Sequence, residues 1–106
     1  MSRRVVPTAR AREDVERAIN HYASEGADLA ALGFIDALAD AHALLADHPS
    51  IGSTRLTAEV GLPEFRTLPL QRYPYLLVTA DEADAVRIIR VLHTSRDIPA
   101  ELRARS

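Results

Sequence analysis

Most of the side chains that could do chemistry in this sequence lie near its C-terminal end. Arg87, Arg90, His93, Arg96 and Asp97 follow one another at intervals of one to three residues. Guanidinium groups bind carboxylates and phosphates in a two-pronged geometry, and histidine can transfer protons near neutral pH. An arginine in an apolar strand must reach solvent, pair with a carboxylate or bind an anionic ligand. The cluster therefore indicates either an anion-binding site or intramolecular ion pairs, such as Arg90 with Asp97.

Several other chemistries are excluded because the chain lacks the residues they need. It has no cysteine and no lysine, so that all 13 of its basic residues are arginine. These absences exclude thiolate zinc sites, cysteine nucleophiles, a Walker-type phosphate loop and Schiff-base lysines. The four histidines show no metal-ligand spacing, and we expect neither a metal nor a cofactor. His93, Ser95 and Asp97 lie too close in sequence for a catalytic triad, which draws on separated elements.

Length and charge are typical of one globular domain, which we place over residues 1–106. The chain is 47% apolar and 26% charged, with a net charge of −2, a balance that argues against a dedicated, wholly basic nucleic-acid binder. Residues 18–54 carry five acids and no arginine, whereas both ends are rich in arginine. No uninterrupted apolar run approaches the roughly 20 residues of a membrane span, and no signal-peptide core follows the first residues. We expect a soluble, cytoplasmic protein.

A short strand and a helix are predicted at the start of the chain. The strand covers Arg3–Pro7, and Thr8 is placed to cap a following helix through its hydroxyl. That helix has an apolar stripe at helical spacing, formed by Ala11, Val15, Ala18, Ile19 and Tyr22. The opposite face pairs unlike charges four residues apart, among them Arg10 with Asp14.

A second helix is predicted after Gly26, which can adopt the left-handed conformation that ends the first one. Asp28 is expected to cap this helix, which runs to about Asp47 and ends before Pro49. Its expected buried stripe consists of apolar residues, namely Leu32, Phe34, Ile35, Leu38, Ala41 and Leu45. Two amphipathic helices with a short link predict an antiparallel helical hairpin.

Three strands are predicted in the second half of the chain. They cover Phe65–Leu70, Tyr73–Ala80 and Ala85–Leu92, and a turn at Asp81–Asp84 joins the last two. The last strand is apolar on both faces, which favours a central position. The element order β-α-α-β-β-β predicts an α+β fold in which the helical hairpin covers one face of a small, mostly antiparallel sheet.

Simple alternation along the last strand assigns its arginines to opposite faces. Arg90 is expected beside Ile88 and Leu92. Arg87 is expected on the other face, together with Ile89, Val91 and His93.

These elements resemble the RelE/ParE toxins, and in particular the ParE-like branch, over about residues 5–100. The residues that carry the resemblance are Ala11, Asp14-Val15, Ile19 and Tyr22 in the first helix, Phe34, Leu38, Leu45 and His48-Pro49 in the second, then Tyr75, Arg90-Val91-Leu92-His93 and Arg96-Asp97. The ordered combination with the Arg90–Asp97 stretch is its most specific part.

The resemblance implies the toxin of a bacterial type II toxin–antitoxin pair, with the RelE/ParE fold and a small ParD-like antitoxin as partner. ParE-like members inhibit DNA gyrase without being enzymes, and RelE-like members cut mRNA on the ribosome. The residues it implies for target or antitoxin binding are Arg66, Tyr75, Arg87, Arg90, His93, Arg96 and Asp97. We expect an amphipathic helix or strand of the antitoxin to lie on apolar residues, with acidic groups meeting Arg87, Arg90 or Arg96.

The residue content favours gyrase inhibition over the alternative, a ribosome-dependent mRNA endonuclease. A metal-free ribonuclease needs several cations together with a general base and acid. This chain has no lysine, and Tyr75 stands where RelE-like nucleases place an arginine. The tail from Ile98 to Ser106 has neither tyrosine nor histidine. A nuclease would have to rely on Arg66, Arg90 and His93. A third alternative is a member without toxicity that only binds its partner.

Overall fold

The structure is a computed structural model that describes residues 2–104. Of the domain predicted over residues 1–106, residues 1, 105 and 106 lie outside this range. The elements in chain order are β1 (Val5–Pro7), α1 (Ala9–Ser24), α2 (Asp28–Asp47), α3 (Arg55–Glu59), β2 (Phe65–Pro69), β3 (Tyr75–Asp81), β4 (Val86–His93) and α4 (Ile98–Arg103). The predicted α+β fold is confirmed, with two short helices added.

Helices α3 and α4 were missed because five and six residues are too few to show a repeated apolar period. Local signals for α4 are nevertheless present in the sequence. The Asp97 carboxylate caps the helix by accepting a hydrogen bond from the Ala100 amide at 3.1 Å, and a proline lies in the first turn.

The sheet has the strand order β1-β4-β3-β2. β1 runs parallel to β4, whereas the other two pairings are antiparallel. β4 thus occupies the central position that its apolar sequence predicted. β2 ends at Pro69 and β3 begins just after Pro74, because proline has no amide to donate to a ladder.

Helices α1 and α2 pack on one face of the sheet, which we call the hairpin face. Thr8 caps α1 as predicted, its hydroxyl oxygen accepting from the Ala11 amide at 3.1 Å. Gly26 follows α1 with a φ of +71°, the left-handed conformation that glycine adopts without strain. Asp28, however, is the first residue of α2 and not its cap; the cap position belongs to Ala27, which makes no side-chain cap hydrogen bond.

The buried stripe of α2 is narrower than predicted. Phe34 and Leu45 are fully buried, and the helix packs on the sheet through this side. Leu32 and Ile35 were assigned to the same stripe but are 59% and 42% exposed. Residues two apart on an α-helix point about 200° away from each other, so Leu32 cannot share a face with Phe34.

Helix α2 is also long and apolar enough, by length and composition, to cross a membrane. Its most apolar 18-residue window has a mean hydropathy of 1.6, although the sequence has no uninterrupted apolar run of that length. In the fold, the side that carries Phe34 and Leu45 belongs to the main apolar core, as in a core helix of a globular domain.

The other face of the sheet, which we call the opposite face, is covered by the two short helices. Ile98 and Leu102 of α4 pack with Val78 and Leu92 of the sheet, and Leu56 of α3 joins the same cluster. Both faces of β4 are therefore buried, in agreement with its continuous apolar sequence.

A β-bulge in the β3–β4 pairing changes which side chains share a face. Val78 pairs with Arg90 and Thr79 pairs with Ile88, so Ile89 is the extra residue. One extra residue reverses the alternation beyond it. Arg90 therefore lies with Leu92 on the opposite face, while Ile88 packs in the hairpin-face core.

For the same reason the prediction for Arg87 is wrong in part, since of its expected neighbours Ile89 packs in the opposite-face cluster and Val91 does not. Arg87 pairs with Ala80, whose side chain belongs to the opposite-face cluster. It therefore does not share the face of Val91, which packs in the hairpin-face core.

Candidate functional site

A buried ion pair between α1 and β4 lies at the base of the candidate site. Arg90 donates to Asp14 through Nε (2.7 Å to Oδ2) and Nη2 (3.0 Å to Oδ1). Both side chains are only 3% exposed. The Val91 amide donates to the same carboxylate at 2.9 Å. Charge-assisted, two-pronged bonds of this kind are the strong class of hydrogen bond in proteins.

Asp14 occupies a place on the edge of β4 that β1 is too short to cover. The pairing of β1 with β4 ends where Pro7 meets Ile88. Thr8 extends it, since its amide donates to the Ile88 carbonyl (3.0 Å) and its hydroxyl to the Ile89 carbonyl (2.9 Å). Asp14 then accepts from the next free amide, that of Val91. Buried backbone amides need such partners, which explains a carboxylate at this position.

Arg90 is thus a structural residue. Its third contact is with Glu101 of α4, at 3.4 Å. The hydrogen bonds to Asp14 raise the pKa of Arg90, and burial opposes this effect. The sequence left open an intramolecular ion pair for Arg90. Such a pair is present with Asp14, whereas the expected partner, Asp97, caps α4.

Beside this ion pair, a pocket of about 290 Å³ opens between α1 and the ends of β3 and β4. Three of the predicted site residues line it, namely Tyr75, His93 and Arg96. Arg17 and His21 of α1 contribute two further polar side chains. The pocket therefore gathers two arginines, two histidines and a tyrosine on one side of the molecule.

The His93 ring is fixed by its own turn and by Tyr75. Its Nδ1 accepts a hydrogen bond from the Ser95 amide at 3.0 Å, so in the neutral ring the proton is on Nε2. The Arg96 amide donates to the His93 carbonyl at 3.0 Å and closes the turn. The His93 and Tyr75 rings meet edge to face, with centroids 5.1 Å apart.

Tyr75 connects the pocket to the core. Its ring packs against Phe34 with centroids 5.0 Å apart, and its hydroxyl makes no hydrogen bond to another residue within 2–104. Burial raises the pKa of Tyr75, and the nearby positive charge of Arg96 partly opposes this. Arg96 is held by Glu101 at 2.8 Å. The phenol therefore stays protonated at neutral pH and can donate a hydrogen bond.

The remaining predicted residues lie elsewhere. Arg87 is bound in the β3–β4 turn by Glu82 (3.2 Å) and Asp84 (2.9 Å). It lies six positions before His93 along β4, or about 20 Å away. Arg66 is half-buried on the edge strand β2, where it pairs with Thr79.

The three residues proposed for a nuclease do not come together. Arg90 is enclosed by carboxylates. Arg66 is two strands away from His93 and about 13 Å further along the sheet, since their partners on β3 are Thr79 and Tyr75. Within the described part of the chain, no three His, Asp or Glu side chains are grouped as metal ligands.

Sequence reasoning missed the contribution of α1 to this site. Asp14 had been assigned to the solvent face with Arg10, but it is buried between Ala11 and Ala18. The spacing of three and four residues was the available signal for burial. One further step of three or four residues along the same side reaches Arg17 and His21.

The chain thus combines a helical hairpin on a four-stranded sheet with a pocket of arginine, histidine and tyrosine side chains at the strand ends. The chain matches the family model for the ParE toxin of the type II toxin–antitoxin system parDE over residues 5–98, and it belongs to that family. Its structure resembles a chain of the chromosomal ParDE system from P. aeruginosa, with a TM-score of 0.71 and 19% identity. The alignment covers 87% of this chain and 96% of the other. No curated protein matches the sequence.

Proposed function

We propose that this ParE-family chain inhibits DNA gyrase and is neutralised by a cognate ParD-like antitoxin in the cytoplasm. Family membership makes it a toxin of a type II system. Among the targets of such toxins, the proposal favours gyrase because of one observation, the burial of Arg90 against Asp14. That arginine is the central cation of the alternative nuclease site, and it is not accessible to a phosphate.

The experiment is expression of the chain without its antitoxin. Growth should stop and cleaved gyrase–DNA complexes should accumulate, while primer extension on translated mRNA should show no new ends. Codon-positioned cuts in mRNA would support the ribosome-dependent endonuclease instead. Normal growth, combined with a stable antitoxin complex, would indicate a member that only binds its partner.

The antitoxin is proposed to cover the outer side of α2, in a hetero-oligomeric complex. Leu29 and Leu32 are exposed there, to 85% and 59%, and Ile35, 42% exposed, lies at the margin of the same side. Large apolar side chains exposed together on one helix are typical of protein interaction surfaces. Leu32→Asp should weaken the complex without affecting the fold, because this side chain is outside the core. Unchanged affinity would contradict the proposed surface.

Of the arginines expected to meet acidic groups of the antitoxin, Arg96 is the accessible one at the pocket. Arg90 is buried, and Arg87 is already bound by two carboxylates. Arg96→Glu should therefore reduce antitoxin affinity more than Arg87→Glu does. Equal affinities for both variants and the unmodified chain would contradict the electrostatic part of the proposal.

A further inference from the structure

The pocket beside α1 presents hydrogen-bond donors that have no acceptor among the residues that the structure describes. The Tyr75 hydroxyl and His93 Nε2 make no hydrogen bond within residues 2–104. The side chain of Arg17 is 59% exposed, and its guanidinium group makes one long contact, 3.5 Å to Asp14. We infer that this pocket binds a single carboxylate group, supplied by a glutamate or aspartate side chain of a protein partner.

The charge balance around the pocket suits one anion. Arg17, Arg90 and Arg96 contribute three positive charges, whereas Asp14 and Glu101 contribute two negative ones. The Asp14–Arg90 pair satisfies its own groups, so that the net positive charge is available at the pocket opening. One carboxylate neutralises it and accepts hydrogen bonds from donors of different elements.

The donor geometry favours a carboxylate over a neutral group. Arg17 presents a planar fork that matches the two oxygens of a carboxylate. Tyr75 and His93 supply single donors from β3 and β4, and the Arg96 side chain lies near the Tyr75 phenol. A neutral side-chain amide has one acceptor oxygen and one NH2 group, and the NH2 group would face one of these donors.

The size of the pocket favours a side chain over a larger ligand. Its volume of about 290 Å³ is at the lower limit of small-molecule sites, which measure roughly 300–1,000 Å³. The side chain of a docked partner fits this space, with its main chain outside.

The surroundings argue against a nucleic-acid backbone as the ligand. Phosphate backbones are bound by several cations in succession, but this chain has a net charge of −2. Arg3, which precedes β1, and Arg87 of β4 are each paired with acidic side chains at the β3–β4 turn. A single acidic side chain needs only the local charge of the pocket.

The inference rests on the proposed function only in taking the partner to be a protein. Its test uses the isolated chain and a small probe, so it can fail or succeed independently of gyrase inhibition and antitoxin binding. The probe is N-acetyl-glutamate N-methylamide, with N-acetyl-glutamine N-methylamide as the neutral isostere and inorganic phosphate as the competing anion.

Binding is followed by NMR through the ring signals of His93 and the backbone amides of Ser95 and Arg96. The glutamate probe should shift these signals saturably at millimolar concentrations, and the glutamine probe should not. Equal shifts with both probes, or none with the glutamate probe, would overturn the assignment. Tighter binding of inorganic phosphate than of the glutamate probe would overturn the choice of a carboxylate.

Variants locate the site. Arg17→Gln and Tyr75→Phe should each weaken the glutamate probe by about two- to fivefold, the range for partly exposed charged hydrogen bonds. Arg12→Gln is the matched control, because Arg12 is an exposed arginine of the same helix that does not line the pocket. If Arg12→Gln weakened binding as much as Arg17→Gln, the probe would be responding to general charge, and the pocket assignment would be wrong.

Discussion

Replacing Asp14 by Asn tests the role of the buried ion pair in the fold. The amide keeps an acceptor for Val91 but removes the charge that faces Arg90. Arg90 then loses its Nη2 bond to Asp14, and Glu101, at 3.4 Å, is the one carboxylate that still contacts it within the described residues. Breaking a buried pair by neutralising one partner costs about 3–5 kcal/mol, because the other charge is left uncompensated. We expect the free energy of unfolding to fall by about 3 kcal/mol.

Urea unfolding measures this change directly, as a lower midpoint with an unchanged m-value. Thermal unfolding should show a midpoint lower by roughly 12–24 °C, since 1 kcal/mol corresponds to about 4–8 °C in a domain of this size. Glu101→Gln is the matched control. Its side chain is 26% exposed, and we expect a loss below about 1 kcal/mol.

The double variant Asp14→Asn/Arg90→Met separates the pair from its surroundings. With both charges removed, no uncompensated charge remains, and the double variant should be more stable than the sum of the two single losses predicts. A loss below about 1 kcal/mol in Asp14→Asn, or strictly additive losses in the double variant, would refute the structural role of Arg90.

This role also affects how activity data on Arg90 are interpreted. An Arg90→Ala variant should lose toxicity because it loses folded protein, whatever the target is. Circular dichroism of the purified variant must therefore accompany any activity assay. Arg96, which is accessible, is the better residue for a test of target binding.

Three further predictions concern the helices and the aromatic core. Thr8→Ala should lower the free energy of unfolding by about 1–2 kcal/mol in urea, because its hydroxyl both caps α1 and donates to β4; a loss below about 0.3 kcal/mol would contradict this. Gly33→Ala should cost about 1 kcal/mol although alanine favours helix, since the added Cβ would lie 2.0 Å from the Tyr73 hydroxyl; the cost should shrink in a Tyr73→Phe background. Burial raises the pKa of Tyr22 and Tyr75, so the folded state holds more protons than the unfolded one above about pH 10, and stability should fall as pH rises through that range; Tyr75→Phe should make the fall shallower.

The sequence predicted the hairpin and the sheet because their signals are local and repeated. Thr8 before an apolar period marks a helix start, and the doubly apolar β4 marks a central strand. The secondary-structure and burial predictions failed where an element was too short to show a repeated pattern, or where burial depended on which side of a helix packs against the sheet. Asp97 capped a helix of only six residues, and the phase of α2 placed Leu32 in solvent although it is apolar.

The placement of the candidate site residues follows from the sequence only in part, for physical reasons. Tyr75, His93 and Arg96 do come together, because the ends of two adjacent strands and the following turn must be close. The face of the sheet on which Arg90 lies depends on the β-bulge at Ile89, and no pattern in the sequence indicates that bulge. Asp14 is a charged residue in a buried stripe, and only its partner on a strand distant in sequence explains its burial.

Supercoiling by purified DNA gyrase in the presence of the purified chain is the decisive assay for the proposed target. We expect the chain to stop supercoiling and to trap cleaved DNA on the enzyme, and antitoxin added first to prevent this. Arg96→Glu should weaken the inhibition, whereas Arg12→Gln should not. Full supercoiling at a large excess of folded chain would show that gyrase is not the target.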